Sequence, residues 1–235
     1  MEHFVFIPLA VVGVILQVMV IWAMSRGFVR RYLGVFFYLL VLFLTAVADF
    51  AAYLDPGQFG AWYQEVYYIN NTVRQLSGFV AVLTLIFTAT ANHPQRVAVR
   101  VKILLGTAIV VVLSFSPPLA GGETPNLYIT NASRNLSFSN ALLNVILWFS
   151  LVKARASERR LFLVSGGLGL NMAGEAIAQS LVGMSTGASA WLWYLGNFIA
   201  VPSHLLCLLI WWTAFRRVTE LSELPSEITS RERTH

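Results

Sequence analysis

Charge is scarce in this chain: Asp, Glu, Lys and Arg make up 11% of its 235 residues, 57% are hydrophobic, and the mean hydropathy is +0.68. A soluble domain of that length needs more polar surface to cover itself. Cysteine is nearly absent too. Cys207 stands alone in an apolar run, which excludes an intrachain disulfide and gives the residue a packing role. Of the four histidines, His3, His93, His204 and His235, only His204 falls inside an apolar run. The three convergent ligands that zinc requires are therefore missing. No GxSxG, HExxH or P-loop occurs. These absences predict no enzyme, no metal and no cofactor. The net charge of +5 has no nucleic-acid motif beside it, so nucleic acid is not an expected partner either.

What the chain does have is apolar length. About 20 such residues cross the hydrocarbon core of a bilayer as a helix. Seven runs qualify, at about 4–25, 33–54, 64–91, 102–119, 127–152, 161–184 and 191–215. The expected fold is therefore all-α, a polytopic seven-transmembrane-helix bundle filling residues 1–217, with 218–235 as a short tail. In that tail Val218, Leu221 and Leu224 predict a short surface-lying helix before Pro225. No soluble output domain is expected. The first run has no basic residue before it, so it reads as a retained span rather than a signal peptide.

Basic residues set the expected direction, because short cytoplasmic loops retain Lys and Arg. Fourteen of the sixteen follow odd-numbered spans, among them Arg26, Arg96, Arg160 and Arg216, while the intervening loops DPGQFGA, AGGETPN and STGASA carry none. This predicts the N-terminus outside and the C-terminus cytoplasmic. Trp62, Tyr63, Tyr67, Tyr68, Tyr128, Trp191, Trp193 and Tyr194 then read as outer interfacial anchors, and Trp22, Tyr32, Trp148, Trp211 and Trp212 as inner ones. The compact, loop-poor chain suits a bacterial inner (cytoplasmic) membrane.

Two arginines, Arg74 and Arg134, break the pattern by falling inside spans, as do Asp49 and Glu175. A charge at the bilayer centre costs roughly 2.5–3.5 kcal/mol. Four unpaired ones would cost on the order of 10 kcal/mol, comparable with the whole stability of a typical protein. All four fall in the outer halves of their spans, where two acids and two guanidiniums could neutralise one another.

Residues three, four and seven apart share a helix face. Asn171, Glu175 and Gln179 make one polar stripe and Thr45, Asp49 and Tyr53 another. Arg74 aligns with Tyr67 and Asn70 or Asn71; Arg134 clusters with Asn131 and Asn135, with Asn140 and Asn144 deeper; Asn197, His204 and Trp211 share a side of span seven. Such stripes face a bundle interior or a watered cavity. Pro202 frees the backbone carbonyl of Phe198 beside His204. Ser165, Gly169 and Ala173 give span six a small face for close packing.

The topology resembles that of microbial rhodopsins and of G-protein-coupled receptors, seven helices with an outside N-terminus. The last span contains no lysine, however, which excludes a retinal Schiff base, and TATANHPQR stands where a receptor would carry DRY. Seven-helix hydrolases of the alkaline ceramidase kind need histidines this chain lacks. Sugar transporters built as three plus one plus three spans share the topology. Here a basic pair, a buried acid and an aromatic pair recur in order: Arg30-Arg31, Asp49 and Trp62-Tyr63, then Arg159-Arg160, Glu175 and Trp193-Tyr194.

Two functions are expected from these residues. In the first, Asp49, Arg74, Arg134, Asn171, Glu175, Gln179, Asn197 and His204 line an outer cavity that binds a small polar or anionic ligand, making the chain a sensor or transporter in the lipid bilayer. In the second, the charges are structural bridges in a noncatalytic or accessory subunit whose partner is another membrane protein.

Overall fold

A computed structural model describes residues 2–54, 63–91, 96–115, 125–153, 159–185 and 190–216. They form seven helices: α1 (Glu2–Ser25), α2 (Leu33–Leu54), α3 (Tyr63–Ala89), α4 (Arg96–Ser114), α5 (Pro125–Lys153), α6 (Arg159–Ser185) and α7 (Ala190–Arg216). There are no strands among the described residues. All seven helices are long and apolar enough to cross a membrane. Six lie within a few residues of the expected spans. The fourth starts earlier, at Arg96 rather than about 102, so Arg96, Arg100 and Lys102 are part of the helix. Long basic side chains can extend from a helix end toward water, so a basic residue does not by itself end a span. The tail and the three loops without basic residues lie mostly or wholly outside the described residues.

Helix contacts run α1 to α2, α2 to α3, α3 to α5, α5 to α6, α6 to α7 and α7 back to α1. Six helices thus close a ring, and α4 stands outside it against α5. Helix α3 also touches α6 across the ring.

One end of the ring collects the basic residues and is called the basic end below. There Phe215 meets Phe28 and Tyr32, with ring centroids 5.5 and 5.6 Å apart. Arginines from neighbouring helices satisfy carbonyls in last turns, which have no partner within their own helix. Arg160 Nε donates to Ala214 O at 3.0 Å, and Arg100 Nη2 donates to Phe87 O at 2.8 Å. Each cation also favours the negative end of the helix dipole it meets. The chain leaves α1 through Gly27 at a φ of 138°, a conformation that L side chains rarely adopt.

Glycine sets the closest approaches. A Cβ on Gly34 of α2 would run into the Thr84 side chain of α3, and one on Gly174 of α6 into Ser203 of α7. One on Gly167 would lie 2.8 Å from Trp211 Nε1, and one on Gly169 2.6 Å from Asn144 Nδ2. The glycines of α6 therefore serve both neighbours: Gly167 and Gly174 admit α7, and Gly169 admits α5. Ser165 and Gly169 pack as their small size suggests, but Ala173 is exposed.

Trp211 and Tyr32 are not interfacial anchors. Trp211 is 0% exposed, donates Nε1 to Val164 O at 2.9 Å and stacks edge-on with Tyr38; Tyr32 is also buried. Both belong to the buried core, and an aromatic near a helix end fills it as readily as it marks a headgroup layer. Trp22, Trp148, Trp191, Trp193 and Tyr194 remain exposed. The side chains of Tyr63, Tyr67, Tyr68 and Tyr128, and the whole of Trp62, lie outside the described residues. Cys207 is buried in the core.

Candidate functional site

Asp49 and Glu175 both sit about 24 Å along their helices from Leu33 and Arg159, at 1.5 Å per residue, so they share a depth in the half of the ring far from the basic end. Arg74 of α3 reaches the same level from the opposite direction. Its Nη2 lies 3.4 Å from Asp49 Oδ2 and donates to Thr45 Oγ1 at 3.3 Å. Thr45 is available as an acceptor because its own proton goes to Leu42 O. One turn before Arg74, Asn70 Nδ2 donates to Asp49 Oδ1 at 2.9 Å. Positions i and i+4 of α3 therefore grip both oxygens of one carboxylate. The pair is not sealed: Arg74 keeps 28% and Asp49 36% of its side chain exposed.

Glu175 faces the same arginine. The Arg74 guanidinium acts on its carboxylate electrostatically, but no cation among the described residues comes within ion-pairing distance of it. Gln75, 3% exposed, reaches toward Glu175 without closing a hydrogen bond, so its Nε2 is buried and unpartnered. Arg74 Nε is also buried without a partner. The far side of Gln75 is fixed, because Asn140 Nδ2 donates to both its Oε1, at 3.0 Å, and its backbone carbonyl, at 2.8 Å.

Arg134 stands apart from this group. Its Nη1 lies against Gly183 of α6, where a Cβ would be 3.2 Å away. Gly183 is eight residues beyond Glu175, about 12 Å along the helix. Three of the four intramembrane charges are thus brought together, two acids to one arginine, and the fourth is not.

Closer to the basic end a second group crosses four helices. Gln17 of α1 meets His204 Nε2 of α7 at 3.1 Å, His204 Nδ1 meets Asn171 Oδ1 of α6 at 3.2 Å, and Asn171 Nδ2 donates to the Tyr38 hydroxyl of α2 at 2.9 Å. With Gln17 Nε2 turned to the ring, His204 Nε2 accepts and Nδ1 carries the proton donated to Asn171. Asn171 and Glu175 are one turn apart on α6, so this chain adjoins the charged group. Gln17 Oε1 is buried and unpartnered.

Of the other predicted residues, Gln179 is half-buried one turn beyond Glu175. Asn197 bonds Trp193 O within its own helix and joins neither group. Sequence patterning overlooked Gln17, Tyr38 and Gln75. Gln17 had a signal, as a lone amide deep in an apolar helix; Gln75 had none, since it lies beside the Arg74 stripe rather than on it. No three His, Cys, Asp or Glu side chains among the described residues gather as a metal site would require. In comparison with known proteins, no family model, curated protein or solved structure matched this chain.

Proposed function

We propose that the chain is an integral membrane protein, N-terminus outside and C-terminus cytoplasmic, that binds a small polar ligand between α2, α3 and α6 and acts as a sensor or transporter. The orientation rests on the positive-inside rule and makes the far half of the ring the outer half. One observation carries the binding reading: buried donors on Arg74 and Gln75 have no acceptor beside a carboxylate that has no ion-pair partner among the described residues. An unpartnered buried polar group costs about 1–3 kcal/mol. A purely structural bridge would be expected to close, whereas a binding site has reason to leave donors open.

The test is thermal stability of the purified protein in detergent against small metabolites of every charge class. A ligand present at 100 times its Kd stabilises by about 2.7 kcal/mol, enough to raise the melting temperature measurably. A flat response to all of them would sink the reading.

The accessory-subunit reading has its own support in α4. Among the described residues of that helix only Thr107 and Ser114 are buried, and Val97, Leu105, Val112 and Leu113 stand exposed. Lipid satisfies such a face, and so does another apolar helix. Co-purification of a second chain in fixed ratio would favour that alternative.

A further inference from the structure

The charge count at the site narrows its ligand. Asp49 and Arg74 cancel at 3.4 Å, an ionised Glu175 is left over, and the Arg134 guanidinium lies beside Gly183, about 12 Å further along α6. An anionic ligand would therefore place a third negative charge beside one guanidinium, and a zwitterion would leave the deficit where it was. A monocation brings the sum to zero, and a charge within a span is costly unless it is neutralised. A divalent metal would need a larger cluster of carboxylates and imidazoles than any that the described residues form.

The open hydrogen-bonding positions say more about shape. An ammonium group has three N–H donors. Glu175 supplies two acceptor oxygens, and Gln179, half-buried and one turn outward on the same face of α6, carries another in its carboxamide. The unpartnered donors complement this: Gln75 Nε2 cannot exchange places with its oxygen without losing the Asn140 bond, and Arg74 Nε is likewise unfilled. Together they call for an acceptor on the ligand. That acceptor must be uncharged if the sum is to stay at zero.

We propose that the site takes an organic monocation, an ammonium group against Glu175 with a neutral oxygen, hydroxyl or carbonyl, beside it against Gln75 and Arg74. This rests on the reading of the far half as a ligand site. The Asp49–Arg74 pair then serves as a fixed neutral wall, and Glu175 as the group that recognises charge.

Four probes of similar size test it on the full chain in detergent at constant ionic strength: ethanolamine, glycine, acetate and sodium, with binding followed by calorimetry. Ethanolamine should bind at least tenfold more tightly than glycine or acetate, and Glu175→Gln should weaken it tenfold or more, with Glu175→Asp losing less. Equal or tighter binding of glycine or acetate would overturn the proposal. So would unchanged ethanolamine binding by Glu175→Gln, or sodium binding as tightly as the amine. If Glu175→Gln does not fold, the ranking of the four probes on the unaltered protein decides alone. A site that prefers acetate or glycine would leave the ligand-binding reading standing, whereas silence toward a panel of every charge class would remove that reading as well.

Discussion

The two ends of the helix ring are built from the same helices yet solve opposite problems. At the basic end, Met24, Tyr32, Leu39, Leu85, Ile86, Leu151, Trp211 and Phe215 are almost wholly buried, and arginines close the open carbonyls of α3 and α7. In the far half, an ion pair keeps about a third of its surface exposed and nearby buried donors have no partner. The basic end holds the largest fully buried side chains and the far half an exposed ion pair, while buried polar atoms without a partner occur in both, Arg100 Nε at one and Arg74 Nε at the other. Stability is commonly given up where a protein binds something, and the half with the exposed ion pair is the one to which the proposed function assigns the ligand. The glutamine, histidine, asparagine and tyrosine chain lies between the two as a polar floor.

The contrast breaks most severely if the dense end is emptied. Trp211→Ala removes a side chain that fills the notch at Gly167 and holds Val164 O. It should cost about 3–5 kcal/mol, the range for large aromatic truncations in cores. A melting point in detergent measures this, and a loss below about 1 kcal/mol would show that the basic end is not a packed core. Next in size is overpacking at the α2–α3 contact. Gly34→Val should cost about 1–3 kcal/mol because the added side chain meets Thr84. Thr84→Ala in the same chain should restore part of that loss, and the absence of any rescue would mean that the helices separate elsewhere.

Much of this arrangement is legible in the sequence, for a physical reason. Membrane helices must be long and apolar, so hydropathy alone places all seven, and the cost of an intramembrane charge singles out Asp49, Arg74, Arg134 and Glu175. Pairing is a different kind of fact. Periodicity reports which residues share a face of one helix but not which helices meet, so it could not show that Arg74 serves both acids while Arg134 meets Gly183. The same limit misread Trp211 and Tyr32, since an aromatic at a helix end looks alike whether it faces a headgroup or a core. Gln75 escaped because its role depends on Asn140, sixty-five positions away in the chain.

The smallest effects sharpen the contrast within the far half, between the arginine that is shared and the one that stands apart. Asp49→Asn removes the negative partner from Arg74, leaving Glu175 as the nearer acid. Because the pair is partly exposed, the loss of stability should be only about 1 kcal/mol. The freed guanidinium can then turn to Glu175, which would neutralise the leftover carboxylate and weaken amine binding several-fold. Arg134→Gln should do neither: it forms no ion pair with Asp49 or Glu175 and its guanidinium lies about two helix turns beyond Glu175, so stability should change by no more than about 0.5 kcal/mol, with affinity for ethanolamine unchanged. Calorimetry on the two variants side by side tests the division. If Arg134→Gln alters amine binding as much as Asp49→Asn does, the four charges act as one unit and the separation of Arg134 from the site is wrong.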